Sequence, residues 1–156
     1  MIKVVLAGTQ SPALAKLRVL LESIAEIELT GQVPLAAQAA TYALERGAPV
    51  LAIYLAASAG DTFDVIRRLR EAAPTVRILA VSAHAERAFA ARAFEAGASG
   101  YLWDCTADGE LSNAVAELAG GGLYVSLDVQ RRPRRGLRAA DGARRGRKGA
   151  RDASRD

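Results

Sequence analysis

Apolar and polar residues follow two different periods along roughly the first 120 positions of the chain. Four short runs are almost continuously apolar, which is typical of parallel strands buried on both faces. They lie at 3–7, 50–54, 77–82 and 100–103. A fifth run, at 27–33, contains Glu28, Thr30 and Gln32, and this polar character predicts a strand at the edge of the sheet.

Between these runs, apolar residues recur at intervals of three and four, which is the period of a helix. Leu14, Leu17 and Leu21 predict one buried face for a helix that begins at Ser11-Pro12. Similar patterns predict further helices over about 36–46, between Asp61 and Pro74, and over about 86–96 and 108–119. Strands that alternate with helices predict five βα units, whose right-handed crossovers place helices on both faces of a parallel sheet.

The composition is typical of one globular domain. The chain has 156 residues, of which 51% are hydrophobic and 24% charged. Its longest apolar run, 50–57, has eight residues, whereas a membrane-spanning helix needs about 20. Cys105 is the only cysteine, so no internal disulfide can form. These features predict a cytoplasmic protein without membrane contact.

The charge divides the chain into two parts. Residues 1–129 carry ten basic and fourteen acidic side chains, a net charge of −4. Residues 130–156 carry ten arginines and one lysine against three aspartates, a net charge of +8. We therefore predict a domain at 1–130 and a disordered basic tail at 131–156, without a helix-turn-helix. The tail is consistent with a passive extension, with weak sequence-independent contact to nucleic acid, or with an altered reading frame.

The candidate functional residues follow the predicted strands, because ligands of open parallel sheets bind at the carboxyl ends of the strands. Gly8 and Thr9 follow the first strand, and Tyr54 ends the third. Ser82 ends the fourth strand and Asp104 follows the fifth. This set contains no carboxylate pair for a metal ion and no activated nucleophile. The sequence therefore predicts neither a bound metal nor another cofactor.

Five segments, in order and at suitable separations, carry a resemblance to a known family. They are IKVVLA at 2–7, LRVLL at 17–21, IRRLR at 66–70, SAH at 82–84 and EAGASGYL at 95–102. With these segments the chain resembles the receiver domain of bacterial two-component response regulators, most closely the subfamily with a C-terminal LuxR-type helix-turn-helix. The resemblance implies a flavodoxin-like (βα)5 fold, in which a doubly wound parallel sheet lies between two layers of helices.

The resemblance also implies where the family's phosphorylation chemistry would lie. In that family two acidic residues hold Mg²⁺, an aspartate accepts the phosphoryl group, and a hydroxyl and a lysine bind its oxygens. The corresponding positions in this chain are Gly8 and Thr9, Tyr54, Ser82 and Asp104. Only the hydroxyl of Ser82 matches. The chain is therefore expected to be a degenerate receiver that lacks the phosphoacceptor aspartate.

Side chains around this pocket have expected roles. The ring of Tyr54 is expected to fill the space left by the missing acids, with its hydroxyl bonded to Asp104 or Ser82. Tyr101 corresponds to the family's switch aromatic, which turns inward as the hydroxyl moves toward the phosphoryl group. No working switch is expected here without that group. His84 is the only histidine, and it is expected to cap a loop because no motif places a catalytic partner beside it.

The expected function is signal transduction or transcriptional regulation through protein contact, without phosphorylation and without enzymatic activity. The expected partner is another protein or a second copy of the chain, and the mildly acidic body is not expected to bind specific nucleic acid. Two alternatives remain open. One is a domain that senses a small ligand in the crevice at the strand ends. The other is a remnant of a DNA-binding response regulator whose basic tail contacts nucleic acid non-specifically.

Overall fold

A single parallel sheet forms the centre of the computed structural model, which describes residues 1–56, 62–127 and 129. Within these residues the strands are β1 (Ile2–Ala7), β2 (Ile27–Val33), β3 (Val50–Leu55), β4 (Arg77–Ser82), β5 (Gly100–Trp103) and β6 (Tyr124–Val125). They lie in the order β2-β1-β3-β4-β5-β6, and every neighbouring pair is parallel. The polar strand β2 therefore lies at an edge of the sheet, which confirms the prediction from its side chains.

Helices cover both faces of this sheet. In the described residues they are α1 (Pro12–Ser23), α2 (Gln38–Glu45), α3 (Thr62–Ala72), α4 (Arg87–Ala96) and α5 (Ala107–Ala119). Leu17 of α1 and Leu111 of α5 are buried on one face, whereas Ala43 of α2, Ile66 of α3 and Ala93 of α4 are buried on the other. This arrangement confirms the predicted flavodoxin-like (βα)5 fold. None of the described helices is long and apolar enough to cross a membrane.

The helix ends follow local signals in the sequence. The side-chain oxygen of Ser11 accepts a hydrogen bond from the backbone N–H of Leu14 at 3.1 Å, so Ser11 caps α1 as predicted. Gly97 ends α4 as predicted, because its φ of +126° is a conformation that favours glycine. Asp61, after which α3 is predicted to begin, lies outside the described residues, and so does the tail predicted at 131–156.

Strand β6 is a correction to the expectation from the sequence, in which the sheet ends at five strands. The backbone N–H of Tyr124 donates to the carbonyl oxygen of Ser99 at 3.1 Å, and that of Ser126 donates to Tyr101 at 2.8 Å. The chain reaches this position through Gly121, whose φ is +92°. A strand of two residues is too short to show a hydrophobic period, so the pattern of the sequence could not reveal it.

The side chain of Glu110, in the first turn of α5, holds the segment that contains β6. Its carboxylate accepts hydrogen bonds from the hydroxyls of Tyr124 at 2.7 Å and Ser126 at 3.0 Å, and from the backbone N–H of Leu127 at 3.1 Å. Burial raises the pKa of Glu110, but the hydrogen bonds to its carboxylate outweigh burial, so the pKa lies below its ordinary value. The ionised carboxylate therefore stabilises the folded state.

Replacing Glu110 by glutamine is expected to lower the free energy of unfolding by about 1–2 kcal/mol near pH 7, because the half-buried hydrogen bonds lose their charged acceptor. The pKa of Glu110 is lower in the folded than in the unfolded state. The contribution of the Glu110 carboxylate to the free energy of unfolding is therefore complete above the pKa of the unfolded state. It is lost as the pH falls through the pKa of the folded state. Urea denaturation should show a difference in the free energy of unfolding between wild type and variant that narrows as the pH falls below about 4.3, the ordinary pKa of a glutamate.

Glu117, which is exposed on the same helix, provides the matched control. The Glu117→Gln variant should have nearly the same free energy of unfolding as the wild type throughout this pH range. If the difference in free energy of unfolding between the wild type and Glu110→Gln did not change with pH, the ionised carboxylate of Glu110 would not be what stabilises the fold.

Candidate functional site

The carboxyl ends of the central strands bring most of the predicted site residues together. β1 pairs with β3, β3 with β4, and β4 with β5, so Gly8, Tyr54, Ser82 and Asp104 lie along one edge of the sheet. Gly8 and Ser82 are buried and Asp104 is half-buried, whereas Thr9 is exposed. The strand pairing therefore places four of the five predicted pocket residues side by side, with Thr9 at the rim.

Tyr54 and Asp104 are joined across this edge by a hydrogen bond. The hydroxyl of Tyr54 donates to Oδ2 of Asp104 at 2.7 Å, and the Tyr54 residue is only 8% exposed. Burial raises the pKa of Tyr54 to about 12, and the hydrogen bond and negative charge of Asp104 act in the same direction. At neutral pH the hydroxyl therefore stays protonated and acts as a donor, which makes it a poor nucleophile.

Leu14 of α1 occupies the space beside Gly8. A Cβ added to Gly8 would lie 2.7 Å from Cδ1 of Leu14 and 3.5 Å from Cβ of Tyr54. Leu14 is fully buried, so it has little room to move away. A side chain at position 8 would therefore require the side chain of Leu14 to shift.

The residues at this edge do not fit the Mg²⁺ ion that the family resemblance implies. Mg²⁺ needs several oxygen ligands in near-octahedral geometry, usually including one or two carboxylates. Gly8 and Thr9 supply no carboxylate, and the carboxylate of Asp104 already accepts a hydrogen bond from Tyr54. In the part of the chain that the structure describes, no group of three or more His, Cys, Asp or Glu residues could hold a metal ion.

Ser82 and Tyr101 both bond to the backbone of His84. The side-chain oxygen of Ser82 accepts a hydrogen bond from the N–H of His84 at 3.0 Å, and the hydroxyl of Tyr101 donates to the carbonyl oxygen of His84 at 2.6 Å. Ser82 and Tyr101 are fully buried. Burial is the largest cause of an upward shift in the pKa of Tyr101, so its hydroxyl remains a donor. The ring of Tyr101 thus points inward, and its hydroxyl is hydrogen-bonded to the loop after β4.

An aromatic stack, which no motif in the sequence predicted, supports this loop. The imidazole of His84 stacks on the ring of Phe89 with 4.3 Å between centroids, and Phe89 lies 4.9 Å from Phe63. The ring of Tyr101 lies 6.2 Å from Phe89. The available signal was that all three phenylalanines lie in α3 and α4, the helices that flank the loop. His84 therefore belongs to a packed cluster that orients Tyr101.

Similar proteins of known role are response regulators. The response regulator UvrY of Escherichia coli K12 is 24% identical over 129 residues, which cover 83% of this chain and 59% of UvrY. The transcriptional regulatory protein MctR of Rhizobium johnstonii is 27% identical over 128 residues, which cover 82% of this chain and 60% of MctR. The chain thus spans about three fifths of the length of these relatives. No family model matches the chain.

Solved structures show the same fold. The isolated receiver domain of RcsB from Salmonella enterica serovar Typhimurium has a TM-score of 0.69 and 23% identity, covering 84% of this chain and 97% of that domain. A LuxR-family response regulator from Aurantimonas sp. SI85-9A1 has a TM-score of 0.69 and 25% identity, covering 82% of this chain and 91% of that one. The described residues therefore form a receiver-type domain. Among its relatives, UvrY is a response regulator, and the protein from Aurantimonas is a two-component response regulator of the LuxR family.

Proposed function

We propose that this chain is a receiver-type signalling domain that acts by binding another protein, or a second copy of itself, without being phosphorylated. The observation that carries the proposal is the 2.7 Å hydrogen bond between Tyr54 and Asp104. It occupies the edge of the sheet at which the resembled family binds its phosphoryl group. The carboxylate of Asp104 would repel a phosphoryl group, and the missing metal ligands remove the positive charge that phosphoryl transfer requires.

The position of Tyr101 supports a signalling conformation that needs no phosphoryl group. In the resembled family the switch aromatic turns inward when the receiver is phosphorylated. Here the ring of Tyr101 is fully buried and bonded to His84 at 2.6 Å. We propose that the surface around α4, β5 and α5 is presented to a partner continuously.

The relatives favour a role in regulation. UvrY is a response regulator and MctR is a transcriptional regulatory protein, so we propose a non-enzymatic, cytoplasmic role in signal transduction or transcriptional control. Residues 1–129 carry a net charge of −4, which does not favour contact with DNA. We propose that the basic segment at 131–156 is a separate, disordered tail that contributes at most weak and salt-dependent contact with nucleic acid.

A titration with Mg²⁺, followed by the fluorescence of Trp103, tests the proposed loss of the metal site. Trp103 is the only tryptophan and directly precedes Asp104, so an ion bound at this edge would change its emission. We expect no saturable change up to about 20 mM Mg²⁺, because the oxygen ligands are missing.

The same titration with NaCl at equal ionic strength is the control for screening effects. Beryllofluoride, added with Mg²⁺ as a phosphoryl mimic, should also leave the emission unchanged. Saturable quenching by Mg²⁺ alone, with no change in the NaCl series, would overturn the proposal.

A further inference from the structure

A small cavity lies between α1 and the turn that follows β5, next to the bond between Tyr54 and Asp104. Its volume is about 160 Å³. Most of its lining is apolar, and Lys16 and Asp104 add one positive and one negative side chain. The apolar lining includes Leu17 and Leu20 of α1, Val81 of β4 and Ala107 of α5. The cavity therefore combines an aliphatic wall with two opposite charges.

The two charged side chains do not neutralise each other. The ion pairs between described residues do not include one between Lys16 and Asp104. Asp104 accepts one hydrogen bond, from Tyr54 at Oδ2, and a carboxylate has about four acceptor sites on its two oxygens. Asp104 therefore has capacity for a further donor, and its orientation is fixed by Tyr54. A charged group beside an apolar wall gains most from a partner of opposite charge.

We propose that this cavity binds a small zwitterion, an amino acid with a short aliphatic side chain. The ammonium group of the ligand would bond to the carboxylate of Asp104, and its carboxylate would bond to the ammonium of Lys16. Its aliphatic part would pack against Leu17, Leu20 and Val81. Asp104 is half-buried, whereas Lys16 is exposed at the mouth of the cavity. A simple anion would meet the negative charge of Asp104, whereas a ligand that carries both charges can pair with both side chains.

The volume limits the size of the ligand. The cavity has a volume of about 160 Å³. Ordinary pockets for drug-sized ligands have about 300–1,000 Å³. The cavity therefore favours a small amino acid, of the size of alanine or valine, over a bulky one.

This inference goes beyond the proposed function and does not depend on it. Apart from Asp104, the cavity is lined by side chains that take no part in the argument against phosphorylation. A protein that bound Mg²⁺ or accepted a phosphoryl group could still bind an amino acid here. A protein that failed to bind any amino acid would still lack the ligands for Mg²⁺.

The test is a binding series with L-valine and the two molecules that each carry one of its charges, isobutylamine and isovalerate. Calorimetric titration of the full chain should show saturable binding of L-valine or L-alanine. Isobutylamine and isovalerate should bind at least about tenfold more weakly, because each leaves one charged side chain unpaired. Saturating L-valine should raise the melting temperature by several degrees, and L-tryptophan should not.

Lys16→Met tests the assignment of the ligand carboxylate, because methionine keeps much of the apolar stem without the charge. We expect the affinity for L-valine to fall at least about tenfold while the weak affinity for isobutylamine is unchanged. Lys3→Met, at an exposed position on β1, is the matched control and should bind L-valine like the wild type. The proposal is overturned if no small amino acid binds at about 10 mM. It is also overturned if L-valine binds no more tightly than isobutylamine and isovalerate, or if the Lys16→Met variant binds L-valine with the affinity of the wild type.

Discussion

Replacing Tyr54 by alanine is expected to destabilise the domain by about 3–5 kcal/mol, the range for truncating a large aromatic side chain in a core. The ring is only 8% exposed and belongs to the cluster between the sheet and the helices α1 and α5. Its loss leaves a cavity beside Leu14 and removes the donor to Asp104. Urea denaturation should show the loss as a lower transition midpoint with an unchanged slope.

Tyr54→Phe is the matched control, because it keeps the ring and removes only the hydroxyl. Its expected cost is about 1–2 kcal/mol, since the half-buried carboxylate of Asp104 loses one donor but remains accessible to water. The difference between the alanine and phenylalanine variants therefore measures the packing of the ring. A cost below about 0.5 kcal/mol for Tyr54→Ala, as at a surface position, would show that the ring does not fill the pocket.

Incubation with acetyl phosphate and Mg²⁺ is expected to leave the intact mass of the protein unchanged. The position of the phosphoacceptor is occupied by Tyr54, whose hydroxyl has a pKa of about 12 and is bonded to Asp104. No carboxylate at positions 8 and 9 holds the metal ion that would neutralise the charge developing in phosphoryl transfer. Mass spectrometry under native and denaturing conditions checks this result directly.

A Tyr54→Asp variant tests whether a carboxylate at position 54 is enough to allow phosphorylation. It restores a carboxylate at the acceptor position but leaves Gly8, Thr9 and Asp104 unchanged, so it too should gain no adduct. A receiver domain with an intact aspartate pocket, treated in parallel, shows that the reagent is active. A stoichiometric, base-labile adduct of about 80 daltons on the wild type would refute the phosphorylation-independent function. The same adduct on Tyr54→Asp alone would show that the missing metal ligands are not essential.

The sequence predicted which residues form the site, because these residues lie at the carboxyl ends of the strands. Each apolar run ends next to a residue that the parallel sheet carries to a common edge, so Gly8, Tyr54, Ser82 and Asp104 could be grouped before any coordinates were known. The partner of Tyr54 was predictable only as a choice between Asp104 and Ser82. Ser82 instead bonds to the backbone of His84, a contact that depends on the path of a loop and not on any sequence pattern.

The succession of the first five strands and the five helices along the chain, the polar edge strand β2 and the lack of an aspartate at position 54 were all accessible from the sequence alone. These features follow from local periods of two and 3.6 residues and from the identity of single positions. Three features required the folded structure: Leu14 fills the space beside Gly8, the two residues of β6 extend the sheet, and Lys16 and Asp104 line one cavity. Such contacts join residues far apart in the chain, and their geometry depends on how whole helices pack against the sheet, which no short window of sequence contains.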